Sequence, residues 1–315
     1  MSDAQSDRHT PLRTAFIGIG WWGCVLADAA RRTGLIEVVL CCGIEAGWRD
    51  AFTRQFGCAT TPDIGVALAN GAVEAVVLAT PHLLHCQQAI AAAKAGKHVF
   101  VEKPLASTQH DAEAMIAAAR AAGIVVAVGH NRILLAQLRM LSDVLTSGVL
   151  GRLLHVEANF STAEGMGFGP NHWRSSRAEC PGGAMTVLGV HVIDWLHQLF
   201  GPVTSVFAIF AHRGTPADMD DVASARLNFT GGLSATLVCL YSAPYTNRFV
   251  VHGSRATASV VAVAPESEGG TACADHQARG GPDRHARRPV RRHRRASVTH
   301  VRQRHLGPGS ARSQR

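Results

Sequence analysis

The last 61 residues of this chain contain no Phe, Trp, Tyr, Ile, Met or Lys, and a single Leu, Leu306. A stretch so poor in apolar side chains cannot bury enough surface to offset its ordering entropy, so residues 255–315 are expected to be disordered. The eight cysteines include no CxxC pair, no HExxH occurs, and His82, His85, His130 and His172 lack metal-ligand spacing. No metal site is therefore expected. The absence of a GxSxG elbow removes serine hydrolase chemistry. No segment approaches the ~18 uninterrupted apolar residues of a membrane span. The N-terminus "MSDAQSDRHTPLR" is polar and no charged-then-apolar leader follows it, so residues 1–12 are expected to be disordered. Scattered cysteines in apolar surroundings suit a reducing cytoplasm, with thiols serving as small core residues.

The charge is unevenly spread. Residues 255–315 hold thirteen Arg against four acids, a net of +9, which leaves the first 254 residues at −1 of the chain's +8. "RRPVRRHRR" (residues 287–295) is the extreme of that tail. Basic runs bind phosphate backbones through counterion release. This one has no aromatic residues for stacking bases and no docking motif, so no specific nucleic-acid partner is expected.

The body has a clear rhythm. Between residues 13 and 130, short apolar runs such as "TAFIGIG", "IEVVLCC", "VEAVVLAT", "HVFVEK" and "IVVAVGH" alternate with Ala-rich amphipathic stretches. Strands apolar on both faces, separated by helical patterns, predict a doubly wound parallel sheet. After residue 130 the pattern becomes α+β. "GAMTVLGVHVIDWLHQLFG" reads as a helix, and "VTSVFAIFAHR", "DDVASARLNFTGGLSATLVCLYS" and "NRFVVHG" read as antiparallel strands turning at Gly231 and Gly232. The reading is thus an α/β chain in four parts. They are a disordered N-terminus (1–12), a doubly wound α/β domain (13–130), a C-terminal α+β domain with a mainly antiparallel sheet (131–254) and the basic tail (255–315).

Three motifs carry chemistry. "GIGWWG" places Gly18, Gly20 and Gly23 between a strand and a helix, the context that makes GxGxxG a dinucleotide fingerprint. The acid that usually follows by ~20 residues to hold the ribose hydroxyls is missing. Gly43 occupies its place, Glu45 comes a turn late, and Arg49 is near enough to swing in, so NAD and NADP both stay open. "HVFVEKPLA" puts Glu102 and Lys103 at the end of a buried strand, where open parallel sheets bind ligands. A lysine there is a usable proton shuttle or a snorkelling partner of Glu102. "GVHVID" sets His191 and Asp194 on one helix face, either as an oriented imidazole or as a satisfied histidine with a surface acid.

In this order, "GIGWWG", "ATPHLLH" (Ala79–His85), "AGKHVFVEKPLA" (Ala95–Ala106), "VGHNR" (Val128–Arg132) and "PGGAMTVLGVHVID" (Pro181–Asp194) resemble the Gfo/Idh/MocA oxidoreductases from about Arg13 to Ser254. The resemblance implies a nicotinamide cofactor and a sugar, polyol or cyclic diol substrate, oxidised at a hydroxyl or reduced at a carbonyl. It also implies that the first domain is a Rossmann domain, that the C-terminal sheet is open, and that a homo-oligomer is built through that sheet. By resemblance Lys103 and His191 are the catalytic pair. Gly18, Gly20, Trp22, Gly23, Gly43, Thr80, Pro81, His85, Glu102, Lys103, Pro104 and Asn131 line the cofactor. Arg174, Asp194, Lys103 and His191 meet the substrate. Many members carry an Asp four residues before the histidine, where this chain has Val187. Val187 leaves a second reading open, a Rossmann protein with impaired catalysis. Members also continue past "RFVVHGS" with further strands, so a departure from the native reading frame near residues 254–264 is expected.

Overall fold

The computed structural model describes residues 10–170, 172–262 and 300–303, with Ala262 and the last four as backbone only. The expectations for the rest of the tail and for the first nine residues lie outside the described residues. The chain divides into two compact units, with the boundary between Gly129 and His130.

The first unit is a six-stranded parallel sheet in the order β3-β2-β1-β4-β5-β6. Its strands are β1 (Leu12–Ile17), β2 (Ile36–Cys42), β3 (Ala59–Thr61), β4 (Ala75–Leu78), β5 (His98–Val101) and β6 (Val126–Val128). Its helices are α1 (Trp21–Thr33), α2 (Ala46–Phe56), α3 (Ile64–Ala69), α4 (His85–Lys94) and α5 (Gln109–Ala122). This is the dinucleotide-fold strand order. Successive residues of β1 explain the continuous apolar runs. Phe16 packs with Cys41 and Phe52 in one buried cluster. Ala15 and Ile17 pack with Leu40, Val76 and Leu78 in another. A sheet covered on both faces needs an apolar residue at every position.

Local chemistry ends the helices where expected. Gly34, Gly57 and Gly123 close α1, α2 and α5 in the left-handed region, with φ of 68°, 70° and 65°. The Thr108 hydroxyl caps α5 by accepting from the Asp111 N–H at 3.1 Å. The short β3 and α3 do not emerge from sequence periodicity. "ATT" is three residues long and two of them are exposed, too little for a period to register.

The second unit is a mixed sheet of seven strands in the order β13-β12-β11-β7-β10-β9-β8. They are β7 (Leu153–Ser161), β8 (Val203–Ala211), β9 (Val222–Phe229), β10 (Ser234–Leu240), β11 (Thr246–Gly253), β12 (Ala256–Ala262) and β13 (His300–Gln303). Only the β7–β10 pair is parallel. Helices α6 (Ala136–Thr146) and α7 (Val190–Phe200) belong to this unit. Leu141, Trp195 and Leu196 share one core with Val156, Ala158, Leu237 and Val251. Strand positions between those point outward and are polar: His155 meets the Ser234 and Thr236 hydroxyls, and Glu157 pairs with Arg248 and His252. Gly231 and Gly232, with φ of 88° and 85°, make the β9–β10 turn.

The expectation of disorder from residue 255 onward is corrected at two places. Residues Ala256–Ala262 form β12, antiparallel to β11, and Ala256, Ala258 and Val260 are buried in the core. Alternating small and β-branched residues are enough to fill a sheet position once a neighbouring strand supplies the ladder. The backbone of His300–Gln303 pairs antiparallel with β12.

Candidate active site

The glycine fingerprint sits where β1 turns into α1. Gly18 has φ +86°, and a Cβ there would lie 2.5 Å from the Ala79 carbonyl oxygen. A Cβ on Gly23 would lie 2.1 Å from the Gly18 oxygen. Gly20 precedes α1, whose first turn carries no acid. The backbone is therefore laid bare at a helix N-terminus with nothing to repel an anion, which fits a dinucleotide pyrophosphate. The loop is held by Gly18 N–H donating to Cys42 O at 3.0 Å and Ala79 N–H donating to Ile17 O at 2.8 Å. Trp22 is half-buried within it, and its indole N–H, also buried, has no hydrogen-bond partner.

At the end of β2, Gly43 donates to Thr61 O at 3.3 Å. The thiols just before it are perturbed. Cys41 is pulled down to about 6, chiefly by a hydrogen bond from Cys58. Cys42 is pushed up to about 11 by burial, with the charges of Asp63 and Cys41 adding to it.

Thr80 and Pro81 follow β4, and the Thr80 hydroxyl donates to Gln88 Oε1 at 2.6 Å. His85 is fully buried, with Nδ1 2.9 Å from Pro104 O and Nε2 3.0 Å from Thr80 O. Its ring braces the loop after β4 against the loop after β5. Beyond β5, Glu102 is buried and accepts from the Lys103 N–H at 3.2 Å. Its other oxygen, Oε1, is buried without a hydrogen-bond partner. Gly129 lets it sit there, because a Cβ at 129 would fall 2.6 Å from that oxygen. Lys103 is half-buried and precedes Pro104 through a cis peptide bond.

In the second unit a π-helical turn, Met185–Gly189, leads into α7. Such turns re-aim side chains and recur at functional sites. Val187 is buried in the core there, and His191 follows one turn later, 6% exposed. Asp194 Oδ2 lies 3.5 Å from His130 Nδ1, and Oδ1 accepts from Gln198 at 3.4 Å. The His130 ring meets the His191 ring edge-on at 6.2 Å, and Phe160 lies 6.2 Å from His191 on another side. Arg132 covers Phe160 at 4.2 Å. His130 and Phe160 are neighbours of His191 that spacing alone sets aside, because they lie 61 and 31 residues before it in the sequence. The "VGHNR" motif was the available signal. Asn131 is exposed at the start of the turn Asn131–Leu134.

Arg174 lies over the rings of Trp173 at 4.7 Å and Phe168 at 6.0 Å. Its Nε is buried without a hydrogen-bond partner. His172 stacks on Phe168 at 4.1 Å, and burial together with the charge of Arg174 lowers its pKa.

Residues 12–130 match the family model described as an oxidoreductase family with an NAD-binding Rossmann fold, and residues 138–259 match the GFO/IDH/MocA C-terminal domain. The chain belongs to the Gfo/Idh/MocA family. An oxidoreductase structure from Desulfitobacterium hafniense superposes with a TM-score of 0.75 at 30% identity, covering 80% of this chain and 73% of that one. The WlbA dehydrogenase of Bordetella pertussis, solved with NADH and UDP-GlcNAcA, gives 0.75 at 28% identity, covering 81% of this Gfo/Idh/MocA chain and 78% of its own. Among curated relatives, 1,5-anhydro-D-fructose reductase of Ensifer adhaerens is 27% identical over 248 residues, 74% of this chain and 73% of the relative. Levoglucosan dehydrogenase of Pseudarthrobacter phenanthrenivorans is 27% identical over 231 residues, 64% of this chain and 59% of the relative. No helix among the described residues is long and apolar enough to cross a membrane.

Proposed function

We propose that this family member is an NAD(P)-dependent dehydrogenase of the reducing cytoplasm, acting on a hydroxyl or carbonyl carbon of a sugar, polyol or cyclic diol. The observation that carries the reading is Lys103 at the end of β5, next to the buried Glu102, in a unit whose glycine loop fits a dinucleotide. Two of the curated relatives named above, 1,5-anhydro-D-fructose reductase and levoglucosan dehydrogenase, carry sugar substrates in their names, which supports the substrate class. When bound, the nicotinamide supplies the hydride acceptor or donor.

The remaining steps belong to the protein. Lys103 takes the hydroxyl proton during oxidation and returns it during reduction. Glu102 anchors the Lys103 backbone through its 3.2 Å bond. His191 hydrogen-bonds the substrate oxygen and orients it. Asp194 lies 3.5 Å from His130, whose ring packs edge-on beside His191. Trp22, Thr80, Pro81 and Pro104 shape the cofactor pocket, and His85 keeps its two loops together. Arg174 grips polar or anionic substrate groups.

The exposed β8 edge, with Phe207 and Ile209 more than half exposed, supports assembly of a homo-oligomer through this sheet. The specific observation behind the second reading, impaired catalysis, is Val187, which offers His191 no carboxylate.

The test is a titration with NADH and NADPH followed by tryptophan quenching, then a screen of sugars, polyols and diols for nicotinamide reduction. Trp21 and Trp22 sit inside the glycine loop and report directly. Turnover supports the dehydrogenase. Binding without turnover of any substrate favours the impaired protein, and no binding by folded protein removes both.

A further inference from the structure

We infer that this chain takes NADP(H) in preference to NAD(H), with Arg49 as the residue that holds the 2′-phosphate. The inference rests on the dinucleotide reading of the first unit.

The end of β2 is where a carboxylate would bind the ribose hydroxyls and repel a 2′-phosphate. Gly43 stands there, and its bareness is enforced by packing. A Cβ at 43 would lie 2.6 Å from Ile19 Cγ1 and 2.9 Å from its Cδ1. Ile19 is itself buried, so it has no easy way to yield. No Asp or Glu fits at this position without disturbing the fingerprint loop.

Arg49 is in the first turn of α2 and folds back over this loop. Its Nη1 donates to Gly43 O at 2.7 Å and to Ile44 O at 2.9 Å. Both partners are neutral carbonyls, and no carboxylate pairs with Arg49 among the described residues. No carboxylate therefore neutralises the guanidinium directly. With Nη1 occupied, its remaining donors, on Nε and Nη2, form the planar fork that matches phosphate. The two carbonyl bonds already order the side chain, so little rotamer freedom is left to lose on binding.

The helix that carries Arg49 points the same way. α2 begins at Ala46 with no acid in its first turn and no side chain capping its amides. Its N-terminus adds favourable partial charge for an anion. Glu45 and Asp50 are the nearest acids along the chain, and both are exposed. Solvent screens them more strongly than it screens the half-buried Arg49. Trp48 packs beside Gly20, its ring 3.1 Å from where a Cβ would stand, which places a fluorophore between the two loops.

The experiment titrates the full chain with NADPH and NADH by tryptophan quenching, and displaces bound NADPH with 2′,5′-ADP or 5′-AMP. The expected result is NADPH tighter than NADH by about tenfold or more, with 2′,5′-ADP the better competitor by a similar factor. R49Q is expected to remove that preference by weakening NADPH about tenfold while costing NADH little. R49K, which keeps the charge without the fork, is expected to retain part of it. Wild-type binding of NADH as tight as NADPH overturns the inference and leaves the dinucleotide reading standing. So does R49Q weakening both cofactors equally. No binding of either cofactor overturns both.

Discussion

The two sheets of this protein solve the same packing problem in opposite ways. The parallel sheet is covered on both faces, so the buried stretches of its central strands are apolar on both sides, as in Ala15–Ile17 and Ala75–Leu78. Its chemistry is pushed to the strand ends: Gly18 after β1, Gly43 after β2, Thr80 after β4, and Glu102 and Lys103 after β5. The seven-stranded sheet packs one face and leaves the other exposed, polar where Glu157, Arg248, His155 and Thr236 pair across strands and apolar at Phe207 and Ile209 on β8. There the active-site candidates come from α7 and the turn before α6, so function depends on side chains brought from distant parts of the sequence. Backbone bareness matters in the first unit, and side-chain networks matter in the second.

The largest expected effect tests the strand-end chemistry. K103A is expected to lower kcat by about a thousandfold while dinucleotide affinity changes little, measured by steady-state rates and fluorescence titration. A loss confined to KM would mean Lys103 only positions the substrate.

The next test concerns bareness itself. In G23A the new Cβ meets a backbone oxygen, whereas in G20A it meets the edge of the Trp48 ring. G23A is expected to cost about 3 kcal/mol of stability and G20A less than about 1, by denaturant melts. Equal costs would show that helix–strand contact at Gly23 is not the constraint.

The side-chain side of the comparison can be broken at Asp221, which is fully buried and accepts from the N–H groups of Arg213, Gly214 and Thr215 at 2.7, 2.6 and 2.5 Å. Burial pushes this carboxyl up, but the three donors outweigh it and hold its pKa below the ordinary value. A depressed folded pKa contributes stability above the unfolded value of about 3.9, and that contribution is lost as pH falls through the folded one. D221N is therefore expected to cost about 2–3 kcal/mol at neutral pH and progressively less in acid, by thermal melts across pH. A pH-independent cost would refute the charge argument.

The smallest stability effect is expected at the sheet edge. Replacing Phe207 and Ile209 by Ser should change monomer stability by less than about 0.5 kcal/mol but dissociate the oligomer in sedimentation velocity. An unchanged sedimentation coefficient would move the interface elsewhere.

How much was legible in the sequence differs between the two units for the same reason. Continuous apolar strands, glycine-ended helices and the GxGxxG loop are local signals, and they specified the parallel sheet apart from β3 and α3. β12 was hidden because "ATASVVA" lacks large apolar residues. Only its ladder with β11 makes Ala256, Ala258 and Val260 part of a core.

By itself the sequence determined the family, the bare glycine loop and the placing of Lys103 at a strand end, because each depends on residues adjacent in the chain. Tertiary structure alone decided that Gly43 is closed to an acid by Ile19, that Arg49 lies across the loop, and that Asp194 faces His130. Those are contacts between side chains and loops from separate elements, and no local period or spacing encodes them.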